Sequence, residues 1–164
     1  IYVILETAVY EVIYARIVAS DIEVACLYDG DDARQLEDVA PYLVKLYKDD
    51  PFTDWVLENG WGANWGIFLE SLASLEELKF HFREFIVAVD EEGKQMYFRY
   101  YDPRVFRVYL PTCNKDELKL FFREVNRFFV ESDQESVLEY KIKKDRLSSL
   151  ENDCVHEELL INCF

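Results

Sequence analysis

The sequence is poor in the residues on which catalytic and metal chemistry most often rests. It holds two histidines and four cysteines in 164 residues. His81 lies in an amphipathic segment with Glu84 as its i, i+3 neighbour, the pattern of a partly exposed helix histidine. Cys26, Cys113, Cys154 and Cys163 have no paired spacing, and Cys154, His156 and Cys163 match no zinc pattern, so reduced thiols are expected, with no metal site and no disulfide framework. The five glycines are scattered, which excludes a glycine-rich phosphate loop, and no serine sits in a nucleophile elbow. No cofactor is implied. Positive charge is also short: 18 Lys and Arg stand against 33 Asp and Glu, for a net charge of −15. That balance argues against nucleic acid and anionic membrane as partners, because phosphate binding requires a basic face. No apolar run approaches the roughly 18–20 residues needed to span a bilayer, so no membrane insertion is expected. No signal peptide is visible. The chain opens on Ile1, inside what reads as a strand, so the native N-terminus is expected upstream.

Apolar residues are abundant, at 51%, and 16% of the chain is aromatic, ample for the core of one domain with an appendage. Residues 1–5 are a β-branched apolar run and predict a buried strand. Val9, Ile13 and Ile17 recur at helical spacing, and residues 24–28 predict a second strand closed by the acidic turn 29–32. Residues 41–47 alternate and predict a strand near a sheet edge, since proline cannot donate to a central ladder. Asp50 and Pro51 predict a capped helix ending at Asn59-Gly60, followed by a strand from Ile67. Ser74 and Glu77 form a capping box for a helix burying Leu75, Leu78, Phe82 and Phe85, with Arg83 outward. A hairpin at 86–101, a helix from Pro103 capped by Asp102, a helix from Asn114 and a strand at 127–131 follow. The expected fold class is therefore α/β (α+β), with a mixed central β-sheet flanked by amphipathic helices. Residues 1–131 make the main domain and 132–164 a C-terminal appendage, an edge strand at 137–144 followed from Asp145 by a charged helix with Leu147, Leu150 and Cys154 on its stripe.

Two stretches stand out. Residues 98–104 read Phe-Arg-Tyr-Tyr-Asp-Pro-Arg, and 61–66 read Trp-Gly-Ala-Asn-Trp-Gly. Both set large aromatics beside residues that break regular structure, and the first concentrates arginines in an acidic protein. Trp61, Trp65, Arg99, Tyr101, Asp102 and Arg104 are the candidate partner-binding residues. Each also has a structural reading, in which the tryptophans lock the loop onto the sheet and Asp102 caps a helix and pairs with an arginine. Paired carboxylates discriminate nothing in so acidic a chain, so the residues point to binding and not to an enzyme.

The succession Ala40-Pro41-Tyr42-Leu43-Val44, Pro51-Phe52, Gly60-Trp61-Gly62, Trp65-Gly66-Ile67-Phe68, Ser74-Leu75-Glu76-Glu77-Leu78, Phe98-Arg99-Tyr100-Tyr101-Asp102-Pro103-Arg104 and Leu110-Pro111-Thr112 resembles the bacterial type VI secretion effector-adaptor family. The likeness runs over residues 1–131. It implies a cytoplasmic bacterial adaptor and chaperone, not an enzyme, that binds a toxic effector and helps load it onto the spike (VgrG-type) protein of the apparatus. Residues 132–164 fall outside the shared pattern and correspond to the family's more variable C-terminal lobe. The alternative class is an immunity-type protein whose acidic face neutralises a basic toxin.

Overall fold

In a computed structural model of the chain, the residues described are 1–134 and 136–152. Strand β1 (Tyr2–Glu6) is buried at every position, as its unbroken apolar run requires of a strand covered on both faces. It lies at the centre of a seven-stranded sheet of order β2-β3-β1-β4-β7-β8-β9, built with β2 (Val24–Cys26), β3 (Pro41–Lys45), β4 (Gly66–Glu70), β7 (Arg127–Glu131), β8 (Val137–Lys143) and β9 (Arg146–Asn152). Strands β5 (Val87–Val89) and β6 (Gln95–Tyr97) form a separate two-stranded ribbon. The α+β class is borne out. The sheet itself is not mixed: every neighbouring pair among the described residues is antiparallel. A strand buried on both faces reads the same in either orientation, so composition alone did not carry that distinction.

Alternation along the strands sends Ile4, Leu43, Ile67, Leu69, Phe128 and Tyr140 to one face and Leu5, Tyr42, Phe68 and Phe129 to the other. On the first face Phe128 meets Phe82 of α4 (Leu75–Arg83), Phe106 of α5 (Pro103–Tyr109) and Phe121 of α6 (Lys115–Phe121), with ring centroids 5.0 to 6.4 Å apart. On the second face Tyr14 of α1 (Glu11–Ala19) meets Tyr42 at 5.9 Å, and Trp61, just after α3 (Pro51–Gly60), meets Phe68 at 5.6 Å. A one-turn helix α2 (Asp32–Gln35) follows the acidic turn. The predicted caps form: Asp50 accepts from the Phe52 and Thr53 amides, and both Ser74–Glu77 and Asn114–Glu117 close as capping boxes.

Strand β3 lies near the sheet edge as expected, second in the order, with Pro41 at its first residue, where its missing N–H costs no ladder bond and its carbonyl accepts from Leu27 at 2.9 Å. Two local expectations are corrected. Arg83 does not point outward; it donates to the Tyr28 carbonyl at 2.6 Å and pairs with Asp29 at 3.2 Å, tying α4 to the end of β2. Residues from Asp145 do not begin a helix. Lys144 and Asp145 both take left-handed backbone, a two-residue hairpin turn without the usual Asn-Gly signal, and β9 pairs with β8 in register Ile142↔Leu147. The stripe of Leu147 and Leu150 therefore came from a strand, and β8 is not the edge. Cys154, His156 and Cys163, with any helix beyond Asn152, lie outside the described residues.

Gly66 fixes the entry to β4. A Cβ there would sit 1.9 Å from the Ile4 carbonyl oxygen, a backbone atom that cannot yield without breaking the β1–β4 ladder. Gly66→Ala is therefore expected to lower unfolding free energy by about 3 kcal/mol, the upper range for forced overpacking, as read by urea denaturation.

Candidate partner-binding site

The Trp loop and the 98–104 stretch meet at the end of β1, and Glu6 joins them. Its backbone N–H donates to the Trp65 carbonyl at 2.7 Å, while its side-chain Oε1 pairs with the Arg99 guanidinium. Glu6 is 1% exposed, and among the described residues its second carboxylate oxygen has no hydrogen-bond partner. Arg99 also lies 3.9 Å from Asp102, which is itself buried. Asp102 is the N-cap of α5: its Oδ1 accepts from the Arg104 amide at 2.9 Å, and the Arg104 guanidinium grips both carboxylate oxygens at 3.0 and 2.7 Å. Pro103 supplies the first helical residue, so Asp-Pro-Arg starts the helix and fastens its first turn in one step.

The two buried carboxyls respond to this site in opposite ways. Burial pushes the Glu6 carboxyl above its ordinary range, and the Arg99 charge offsets only part of that. Burial also acts upward on Asp102, but the hydrogen bonds from Arg104, with the charges of Arg104 and Arg99, outweigh it and hold that carboxyl below its ordinary range.

Among the candidate residues, Trp65, Tyr101 and Asp102 are buried. The Trp65 ring lies 4.9 Å from Trp55 and 6.1 Å from Tyr10, and its buried Nε1–H finds no acceptor among the described residues. Tyr101 packs edge-on against Tyr100 at 5.4 Å, and Tyr100 is fully enclosed, donating its hydroxyl to the Phe82 carbonyl at 3.0 Å. Burial pushes the Tyr101 hydroxyl up. Trp61 is half-buried, and only Arg99 and Arg104 expose much of their side chains, at 48% and 59%. The two stretches also share a shallow pocket of about 200 Å³, lined by Gly62, Asn64, Arg104, Arg107, Glu131 and Asp133 among others. Arg107 crosses it, donating to the Glu131 carbonyl at 2.6 Å and pairing with Asp133. Gly62 and Asn64 both take left-handed backbone, which brings the loop over this pocket.

Sequence reasoning missed Glu6. It closes a strand whose other residues are apolar, one acid of 33, and no local spacing links it to Arg99. It also misjudged His81, which is buried, not partly exposed. Arg123 donates to its Nδ1 at 3.1 Å, leaving Nε2–H for the Phe121 carbonyl at 3.0 Å, and burial lowers its pKa. The histidine thus joins α4 to α6 across forty residues, a contact that periodicity within α4 does not register.

A family profile described as Domain of unknown function (DUF4123) matches residues 1–120. The chain belongs to this family. DUF4123 is associated with effector adaptors of type VI secretion. No curated protein and no solved structure matches the chain. The DUF4123 match runs from β1 into α6, and so covers the whole Glu6–Arg99–Asp102–Arg104 cluster. Among the described residues no helix is long and apolar enough to cross a membrane.

Two substitutions separate the roles of the carboxyls. A carboxyl with a lowered folded-state pKa contributes stability that is present above its unfolded value and lost as pH falls through the folded one. Asp102→Ala, which removes both cap and guanidinium clamp, is expected to cost about 2 kcal/mol near pH 7, with the deficit shrinking below about pH 4, by urea denaturation across pH. A raised carboxyl works the other way: its contribution is present below the unfolded value and lost as pH rises through the folded one. Glu6→Gln is therefore expected to gain on the parent protein as pH rises above about 4.

Proposed function

We propose that this DUF4123 chain is a cytoplasmic adaptor and chaperone of bacterial type VI secretion, which binds one toxic effector and helps load it onto the spike (VgrG-type) protein. The observation that carries this reading is the family match over residues 1–120. The physical character of the molecule fits it. Apolar side chains such as Val18, Leu72, Phe80 and Val108 stand out from a rigid sheet-centred body, and an effector awaiting export needs apolar segments covered. We read the chain as a binding protein and not an enzyme: the best ionisable cluster, at Asp102, is occupied in capping a helix and holding arginines.

Within this reading Trp61, Arg99 and Arg104 are the candidate residues with surface to offer a client, and Trp65, Tyr101 and Asp102 support them from beneath. The second reading, an immunity-type protein that plugs a basic toxin, is favoured by the net charge of −15.

The deciding experiment captures the tagged chain from lysate of its native bacterium at moderate salt. A large effector co-purifying with a spike protein is the expected result; a single small toxin, held inactive in a salt-sensitive complex, would establish the immunity reading instead. With the effector in hand, Arg104→Ala is expected to fold normally and weaken capture by about tenfold, the scale of a recognition arginine at an interface. Unchanged affinity in both Arg104→Ala and Trp61→Ala would remove this surface from the proposal.

A further inference from the structure

The ribbon of β5 and β6 is the part of the molecule whose chemistry nothing above uses. Val87, Val89, Met96 and Tyr97 are 46%, 61%, 47% and 41% exposed, so it carries apolar side chains in the open. Among the described residues it belongs to no larger sheet. The bonds from Asp90 N–H to the Lys94 carbonyl and from Phe98 N–H to the Ile86 carbonyl set its ladder. With Ala88 opposite Met96, antiparallel alternation then turns the backbone groups of Gln95 and Tyr97 outward along β6. No backbone partner meets that edge among the described residues. A two-stranded ribbon is marginal alone, and an open apolar edge is a template for another strand.

The base of the ribbon is nonetheless fixed. The Tyr97 ring stacks on Tyr28 at 4.6 Å and its hydroxyl pairs with Asp32; Phe98 packs edge-on against Tyr109 at 4.6 Å. Two adjoining grooves run beside the strand, sharing Asp32, Val87 and Tyr97. Acidic groups lead at both ends of the ribbon: Asp32 at the base, with Asp29 and Asp31 beside it paired to Arg83 and Arg34, and Asp90, Glu91 and Glu92 against the single Lys94 at the tip.

We propose that the β6 edge of this ribbon accepts a third strand from a partner protein, an extended apolar segment flanked by lysine or arginine. Main-chain hydrogen bonds to Gln95 and Tyr97 would hold the strand, apolar contacts to Met96 and Val87 would select its side chains, and the acidic ends would select its flanks. A second copy of this chain fits poorly. Antiparallel pairing of two β6 edges sets each acidic tip against the other copy's acidic base, between molecules of −15 charge each. The proposal depends on the adaptor reading only for the identity of the protein that carries the segment.

The test titrates two synthetic peptides into the isotopically labelled full chain, one with an alternating valine–threonine core flanked by paired lysines and one with the same core flanked by paired glutamates. Expected are saturable amide shifts and slowed hydrogen exchange at Gln95 and Tyr97 with the lysine-flanked peptide. Affinity for the glutamate-flanked peptide should be weaker by about tenfold or more, and added salt should narrow that gap. Gln95→Pro places proline at the first residue of a strand and removes one outward N–H; it is expected to weaken lysine-peptide binding by about tenfold, while Val12→Ser, at an exposed apolar residue elsewhere, leaves it unchanged. Absence of saturable shifts at Gln95 and Tyr97, or equal binding of both peptides, would overturn the proposal. So would undiminished binding in a Gln95→Pro protein whose Ala88 and Met96 amides still exchange slowly. If that variant loses the ribbon itself, the two-peptide comparison decides. Concentration-dependent protection of Gln95 and Tyr97 without peptide would make a second copy the occupant and reject the partner strand. Loss of peptide binding in a chain that still captures effector and spike would sink this inference and leave the adaptor reading standing.

Discussion

The contact between Glu6 and Arg99 is the constraint on which the upper end of the sheet depends. A carboxylate at the end of the central strand is taken almost entirely out of water, which costs several kcal/mol unless a cation follows it inward. Arg99 supplies that cation while keeping half its side chain in solvent. Because the Glu6 amide also bonds the Trp65 carbonyl, one residue sets the height of two loops on opposite faces of the sheet. Removing the arginine would leave a buried charge with one oxygen already unpartnered, so Arg99 is more constrained than its exposure implies.

The same logic runs through the other arginines. Arg83 ties α4 to the carbonyls at the end of β2, Arg107 ties α5 to the end of β7, Arg123 bridges α6 to His81 and Glu84, and Arg104 holds the carboxylate that starts its own helix. A planar fork of donors is suited to chain ends, where carbonyls and carboxylates converge. In a chain of −15 charge the arginine concentration at 99–107 looks like a basic recognition patch; in three dimensions most of its donors are directed at the protein's own acceptors.

What was legible in the sequence was local. Asp50-Pro51, Ser74 with Glu77, Asp102-Pro103 and Asn114 with Glu117 each carry their cap within three residues, and each forms as read. Buried strands 1–5, 67–69 and 127–131 announced themselves by β-branched and aromatic runs. Illegible were the features fixed by partners far along the chain. Strand direction depends on how connections return, Glu6 acquires meaning only from Arg99, and His81 only from Phe121 and Arg123. The stripe from Leu147 failed for a different reason. Two leucines three apart fit a helix, and the left-handed turn at Lys144-Asp145 that makes them a strand opens on a lysine and lacks the glycine that marks such turns.

The candidate site was legible as residue types and not as roles. Large aromatics beside glycine and proline mark a place where the chain must bend around bulky groups, and that condition holds both for an interface and for a lock. Here Trp65 spends its surface on Trp55 and Tyr10, Tyr100 on Phe82 and Phe121, and Tyr101 on Tyr100, and so they fill the lock. Surface left for a partner falls to residues whose sequence signal was weak. The ribbon's Val87, Val89 and Met96 read only as a hairpin, and their meaning lies in what does not cover them. A body with a fastened ribbon root and an open β6 edge separates stability from recognition: the aromatic core can stay fixed while the short ribbon meets a segment. Under the adaptor reading, such a division lets a client be held without building that client into the protein's own core.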